Sequence, residues 1–143
     1  FLGKGTICVS YIECDTPSLC AVPDRCEIHL DRRLTVGEDK DLALTQVREV
    51  CKAAEVEAEV RMHMYDTPSY TGLVYPVEKY FPTWVLPEEH VGVQSAIEAF
   101  TQLFQVQPKV DKWTFSTNGV SIMGLHGIPP MKSMPAPSKI KFP

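Results

Sequence analysis

The chain has 143 residues, a formal net charge of −4, a pI near 5.5 and 22% charged residues, with acids and bases interleaved rather than in blocks. That balance leaves no electrostatic footprint for nucleic acid or an anionic membrane, and no apolar run approaches the roughly 20 residues needed to span a bilayer. A chain of this size can bury roughly two thirds of its unfolded surface, and without a basic, then apolar leader it reads as a soluble, cytoplasmic protein.

The chain opens on Phe1 and enters a strand pattern within a few residues, as expected of a fragment whose natural start lies upstream. Leu2-Gly-Lys-Gly5 reads as a turn, and residues 6–13, with Thr6, Ile7, Val9, Tyr11 and Ile12, read as a strand. Asp15-Thr-Pro-Ser18 breaks it, and Pro17 and Pro23 bracket a connection to a second strand over residues 24–34. Consecutive strands joined this way are most simply antiparallel neighbours. Along the second strand Cys26, Ile28 and Leu30 fall on one face, while Glu27, His29, Asp31 and Arg33 fall on the other. That row of titratable groups reads either as the wet side of a half-buried sheet or, at Arg33, as a donor fork matched to an anionic carboxylate.

Thr35-Val-Gly-Glu38 has capping-box spacing and predicts a helix start. The stripe Leu44, Val47, Cys51 and Ala54 carries that helix to an end near Glu55. Val56, Ala58, Val60, Met62 and Met64 then alternate with Glu57, Glu59, Arg61, His63 and Tyr65, which predicts a strand over residues 56–65 and the order β-β-α-β. Its polar face again carries a His and an Arg.

Asp66-Thr-Pro-Ser-Tyr-Thr-Gly72 is turn-rich, and Pro76, Pro82 and Pro87 keep the next stretch irregular, so a boundary between two structural units is expected here. Pro87 with Glu88 and Glu89 suits a first helical turn. Val93, Ala96, Ile97, Phe100, Leu103 and Phe104 share one face of a helix running to about Val106. Residues 110–116, with Trp113 and Phe115, predict a strand that runs into the turn signal Asn118-Gly119. Ser116, Thr117 and Asn118 are then either ligand contacts at a strand end or a satisfied turn. Residues 124–129 predict another short turn and strand start. The Pro-rich, aperiodic stretch 130–143 predicts a disordered or loosely packed tail.

The sequence contains no nucleophile elbow, P-loop, dinucleotide fingerprint or HExxH pair. His29, His63, His90 and His126 are scattered, so a complete metal site within the chain is not expected. Five cysteines stand at Cys8, Cys14, Cys20, Cys26 and Cys51. Without any Cys-x-x-Cys pair they read as buried, reduced side chains, with a thiol metal or redox site at Cys8, Cys14, Cys20 and Cys26 as the competing reading.

Ser18-Leu-Cys-Ala-Val-Pro-Asp24, Leu30-Asp-Arg-Arg33, Tyr70-Thr-Gly72 with Phe81-Pro-Thr-Trp84, and Phe115-Ser-Thr-Asn-Gly119 with Gly127-Ile-Pro129 occur in that order. Together they resemble the M20 family of zinc metallopeptidases and amidohydrolases, which includes aminoacylase-like deacetylases, carboxypeptidases and succinyl-diaminopimelate desuccinylases. Within that family the chain is most similar to the hydrolase branch linked to selenium metabolism. The resemblance covers residues 1–129.

It implies an α+β and α/β chain: an incomplete ferredoxin-like lid (β-β-α-β), lacking its first strand and helix, over residues 1–67, and the C-terminal part of an α/β zinc-hydrolase catalytic domain over residues 68–129. The tail, 130–143, diverges. The implied activity is hydrolysis of an amide bond, in a peptide or N-acyl amino acid bearing a carboxylate, by an enzyme with two zinc ions that forms a homodimer through its lid. The family's zinc ligands and general-base glutamate come mostly from before the lid. Its last zinc-binding His follows a glycine-rich run, which is replaced here by Pro130-Met-Lys-Ser-Met-Pro135. No catalytic or metal-ligating residue is therefore assigned to this chain, which alone is expected to be inactive.

Residue by residue, Arg33 matches the lid arginine that binds the substrate carboxylate. Cys20 stands where many members have an asparagine that holds the substrate, although a thiol is a weaker donor than an amide. Ser116, Thr117 and Asn118 match the small polar turn lining the pocket, with Asn118 in place of a common aspartate. The lid histidine that reaches across the dimer is expected before Phe1. A reading of a different class is a non-catalytic ferredoxin-like module whose exposed edge strand serves dimerisation or binding.

Overall fold

A computed structural model describes residues 2–112 and 116–129. The chain divides into two compact units, Phe1–Tyr80 and Phe81–Pro143, and the division falls within the Pro-rich stretch 66–87. The content is mixed α+β, with two small antiparallel sheets and two α-helices among the described residues.

The first unit begins with a long hairpin, β1 (Thr6–Asp15) antiparallel to β2 (Arg25–Arg33). Val9 lies opposite Leu30, but Tyr11 lies opposite His29, so Ser10 is an extra residue, a β-bulge. Directly opposed residues share a face. One face therefore holds Ile7 with Arg32, Val9 with Leu30, Ile12 with Ile28 and Cys14 with Cys26. The other holds Thr6 with Arg33, Cys8 with Asp31, Tyr11 with His29, Glu13 with Glu27 and Asp15 with Arg25. Without the bulge, strict alternation would send Ile12 to the polar side, so Ser10 keeps the apolar row of β1 in phase with that of β2.

The capping box does not open the helix. Glu38 Oε2 accepts from Thr35 N–H at 3.1 Å, but the Thr35 hydroxyl donates to Gly3 C=O at 2.7 Å, and Gly37 has φ +85°. With the chain turned through that left-handed glycine, α1 starts later, at Lys40–Ala53, capped by Asp39 Oδ1 accepting from Leu42 N–H at 2.8 Å. Helix α1 ends in a Schellman motif. Glu55 takes φ +54°, Val56 N–H donates to Cys51 C=O at 2.9 Å and Glu55 N–H donates to Lys52 C=O at 3.1 Å.

The strand expected over residues 56–65 shrinks to β3 (Met64–Tyr65), which pairs with β4 (Val77–Glu78) and not with the β1–β2 hairpin. The backbone before it is partnered differently. Val60 C=O accepts from Arg48 Nη2 at 3.1 Å, and His63 C=O accepts from Lys79 N–H at 2.8 Å. The expected break at 66–72 is present as the loop of this small hairpin, turned at Gly72 with φ +83°. Lys40 Nζ donates to Glu78 Oε2 at 2.6 Å, tying the start of α1 to β4 and holding the lysine above its ordinary pKa.

In the second unit α2 spans Val91–Phe104 rather than beginning at Pro87. Residues 87–90 form a turn, with His90 N–H donating to Pro87 C=O at 3.0 Å, and His90 Nδ1 caps the helix by accepting from Gly92 N–H at 3.1 Å. Glu88 and Glu89 therefore precede the helix. Residues 110–112 and 116 carry no strand ladder, and the centre of that expected strand, 113–115, lies outside the described residues, as does the expected disordered tail, 130–143. Instead of a turn and strand start near 124–129, a π-helical segment, Val120–Leu125, follows Asn118-Gly119. Pro82 and Gly119 are the buried residues among those described, and both belong to this unit. No helix among the described residues is long and apolar enough to cross a membrane.

Candidate functional site

Arg33 ends β2 on the polar face of the hairpin, with its side chain 77% exposed and Nη2 donating to Asp31 Oδ2 at 3.0 Å. An ion pair this open to water holds its partners weakly, so the guanidinium fork is available to an incoming carboxylate. Its sequence neighbour Arg32 points to the apolar side and is 20% exposed. There Nη2 donates to Glu38 Oε1 at 2.9 Å and Nη1 to Gln46 Oε1 at 2.8 Å, while Nε is buried without a partner. Two adjacent arginines thus have opposite tasks, one fastening the end of β2 to the α1 region and the other facing solvent.

Farther back along the polar face of β2 lies a feature that simple alternation signalled only in halves. His29, from β2, and His63, just before β3, bring their rings to a centroid separation of 4.8 Å at an interplanar angle of 56°. The Ser10 hydroxyl donates to His29 C=O at 3.1 Å and lies 3.3 Å from His29 Nδ1. Each histidine was readable as a polar-face residue of its own segment. Their meeting was not, because it depends on where the chain returns after α1.

Of the other expected contacts, Cys20 shares the first unit with Arg33, and Ser116, Thr117 and Asn118 belong to the second. Cys20 is exposed in the turn between β1 and β2, where Ala21 N–H donates to Ser18 C=O at 3.1 Å and Thr16 Oγ1 donates to Ser18 C=O at 2.7 Å. Arg33 sits at the far end of the same strand, so the length of β2, about 26 Å at the rise of an extended chain, separates the two ends. Ser116, Thr117 and Asn118 are exposed in the second unit. Thr117 Oγ1 accepts from Gly119 N–H at 3.2 Å, and Asn118 C=O accepts from Ile122 N–H at 3.0 Å, so this run forms the lead-in to the π-helical segment.

The expectation of buried cysteines is overturned. Cys8, Cys14, Cys20 and Cys26 are exposed and Cys51 is half-buried, because neither face of the β1–β2 hairpin is closed over and Cys20 stands in a solvated turn. Cys14 Sγ and Cys26 Sγ lie 3.3 Å apart across the strands, and this hydrogen bond raises the Cys26 thiol above its ordinary pKa. A shallow concavity at that end of the hairpin is lined by Glu13, Cys14, Asp15, Arg25 and Glu27. Among the described residues no three His, Cys, Asp or Glu side chains converge to hold a metal ion.

Two curated proteins match the chain, each named uncharacterized protein YgeY, from Escherichia coli strain K12 and from Escherichia coli O157:H7. Each is 55% identical over 129 residues, which is 90% of this chain and 32% of the relative. The chain thus spans about a third of the length of the relatives it matches. No family model matches it, and no solved structure does.

Proposed function

We propose that the chain is the carboxylate-binding and self-associating part of a zinc-dependent hydrolase of the M20 type, which cleaves the amide bond of a peptide or N-acyl amino acid. The observation that carries this reading is Arg33: a solvent-facing guanidinium at a strand end, on a polar face, in the motif Leu30-Asp-Arg-Arg33 that resembles the family's carboxylate-binding arginine. The order β1, β2, α1 supports a ferredoxin-like lid short of its first strand and helix. Half-exposed Ile7, Val9, Ile12 and Ile28 are what such a lid leaves uncovered. The pairing of β3 with β4 departs from that plan.

The zinc ligands and the general base are assigned to the part of the relatives' length that this chain does not span. This chain's contribution is to orient the substrate through a charge-assisted, bidentate contact. Titration of the chain with an N-acetyl amino acid and with its methyl ester, followed by NMR, tests the assignment. The acid should bind and the ester should not, and Arg33→Ala should weaken the acid roughly tenfold to hundredfold, the worth of a hydrogen-bonded charge pair. Equal binding of acid and ester, or an unaffected Arg33→Ala variant, overturns it. Light scattering tests self-association, and a strict monomer at high concentration counts against the dimer.

A further inference from the structure

We propose that Cys14 and Cys26 are a redox-active pair that closes into a disulfide clasp across β1 and β2 on reaction with a small-molecule disulfide, and reopens with a dithiol. The two residues lie directly opposite in the ladder. Opposed residues of antiparallel strands have Cα atoms about 4.5 or 5.5 Å apart, within the range of roughly 4.4–6.8 Å that a disulfide bridges. The sulfurs are already 3.3 Å apart in the dithiol form. A bond of about 2.05 Å then needs an approach that side-chain rotation can supply.

The surroundings favour closure within the pair over other outcomes. Both thiols are exposed, so a small oxidant reaches them. The backbone beyond them is fixed by the Asp15–Arg25 pairing and by Asp24 N–H donating to Asp15 C=O at 3.1 Å. Cys8 faces Asp31, Cys20 stands in the turn and Cys51 lies on α1, so none of these three has a cysteine opposite it in the sheet. The raised Cys26 thiol disfavours its own thiolate, and closure should quicken as the medium becomes alkaline.

The chemistry balances without any further reactant. One cysteine, as thiolate, attacks the small disulfide, forming a mixed disulfide and releasing one small thiol. The second cysteine loses its proton and attacks the protein sulfur of that mixed disulfide, releasing the second small thiol. Two electrons pass from the cysteines to the small disulfide, and the two protons leave on the released thiols. Closure pins the base of the turn that carries Cys20. The clasp itself uses none of the residues proposed to touch substrate.

The test equilibrates the full chain in glutathione buffers of increasing oxidised fraction, followed by acid quenching, alkylation and peptide mapping. Cys14 and Cys26 should lose their free thiols together and appear as one linked species, lighter by two hydrogen atoms. Cys14→Ser or Cys26→Ser should lower the yield of intramolecular disulfide by at least about tenfold, leaving the remaining cysteine as a thiol or a glutathione adduct. The triple variant Cys8→Ser, Cys20→Ser, Cys51→Ser should close at the same ratio as the unaltered chain. Two separate glutathione adducts, two persistent thiols, or linkage to Cys8 or Cys20 would overturn the proposal.

Discussion

The two compact units hold their shape by different means. In the first, polar groups reach between elements: Arg32 to Glu38 and Gln46, Thr35 to Gly3, Lys40 to Glu78 and Arg48 to Val60. In the second, backbone lies close against rings. A Cβ placed on Gly119 would run into Trp84 Cζ2, and one on Gly124 would stand 2.9 Å from Pro82 Cγ. A polar network tolerates changes of shape but not the loss of a partner, whereas a close backbone approach tolerates changes of charge but not one added carbon.

The largest effect should therefore come from the smallest change. Gly119→Ala forces a methyl into the indole of Trp84, and because Gly119 is buried the ring has to move. Overpacking of this kind costs about 3 kcal/mol. Both tryptophans, Trp84 and Trp113, follow Tyr80 in the sequence. Urea unfolding followed by tryptophan fluorescence should consequently shift strongly, while hydrogen exchange in β1 and β2 stays as it was. An unchanged fluorescence midpoint would mean that the contact between Trp84 and Gly119 does not organise the unit.

The neighbouring arginines give the next effect and separate network from surface. Arg32→Ala leaves the Glu38 carboxylate, itself 20% exposed, with the Thr35 N–H as its partner among the described residues. A loss of about 2 kcal/mol is expected, less than for a fully buried pair because water still reaches the site. Arg33→Ala, from an open pair, should change stability by less than about 0.5 kcal/mol. Hydrogen exchange in β2 and α1 reads the difference, and equal effects of the two substitutions would erase the distinction drawn between the two faces.

Much of the local architecture was legible in the sequence. The hairpin, its polar face and the apolar stripe of α1 follow from periodicity, and both helices end within a residue or two of where their patterns stop. What was not legible depends on non-local geometry. The Ser10 bulge sets the cross-strand register, and that register alone brings Cys14 opposite Cys26, because a long turn between the strands leaves the pairing unspecified. Alternation over residues 56–65 predicts a strand of which Met64–Tyr65 enters a ladder among the described residues, since the chain turns away at the end of α1 and pairs with β4 instead. Thr35 and Glu38 have the right spacing for a capping box, yet Gly37 and the Gly3 carbonyl decide where the helix starts.

The end of α1 offers the smallest and most local test. Glu55 holds the left-handed position of a Schellman motif, φ +54°, where a Cβ crowds the following carbonyl and glycine is the usual occupant. Its carboxylate also sits at the negative end of the helix dipole. Glu55→Gly removes both penalties, and the glycine's extra freedom in the unfolded chain offsets part of the gain. A net stabilisation of about 0.5 kcal/mol is expected, read as slower hydrogen exchange at the Val56 and Glu55 amides that close the motif. Faster exchange there would show that the left-handed turn is imposed by the segment after it rather than by the helix end. In that case the departure of β3 from the β1–β2 hairpin would have to be explained by the β3–β4 pairing alone.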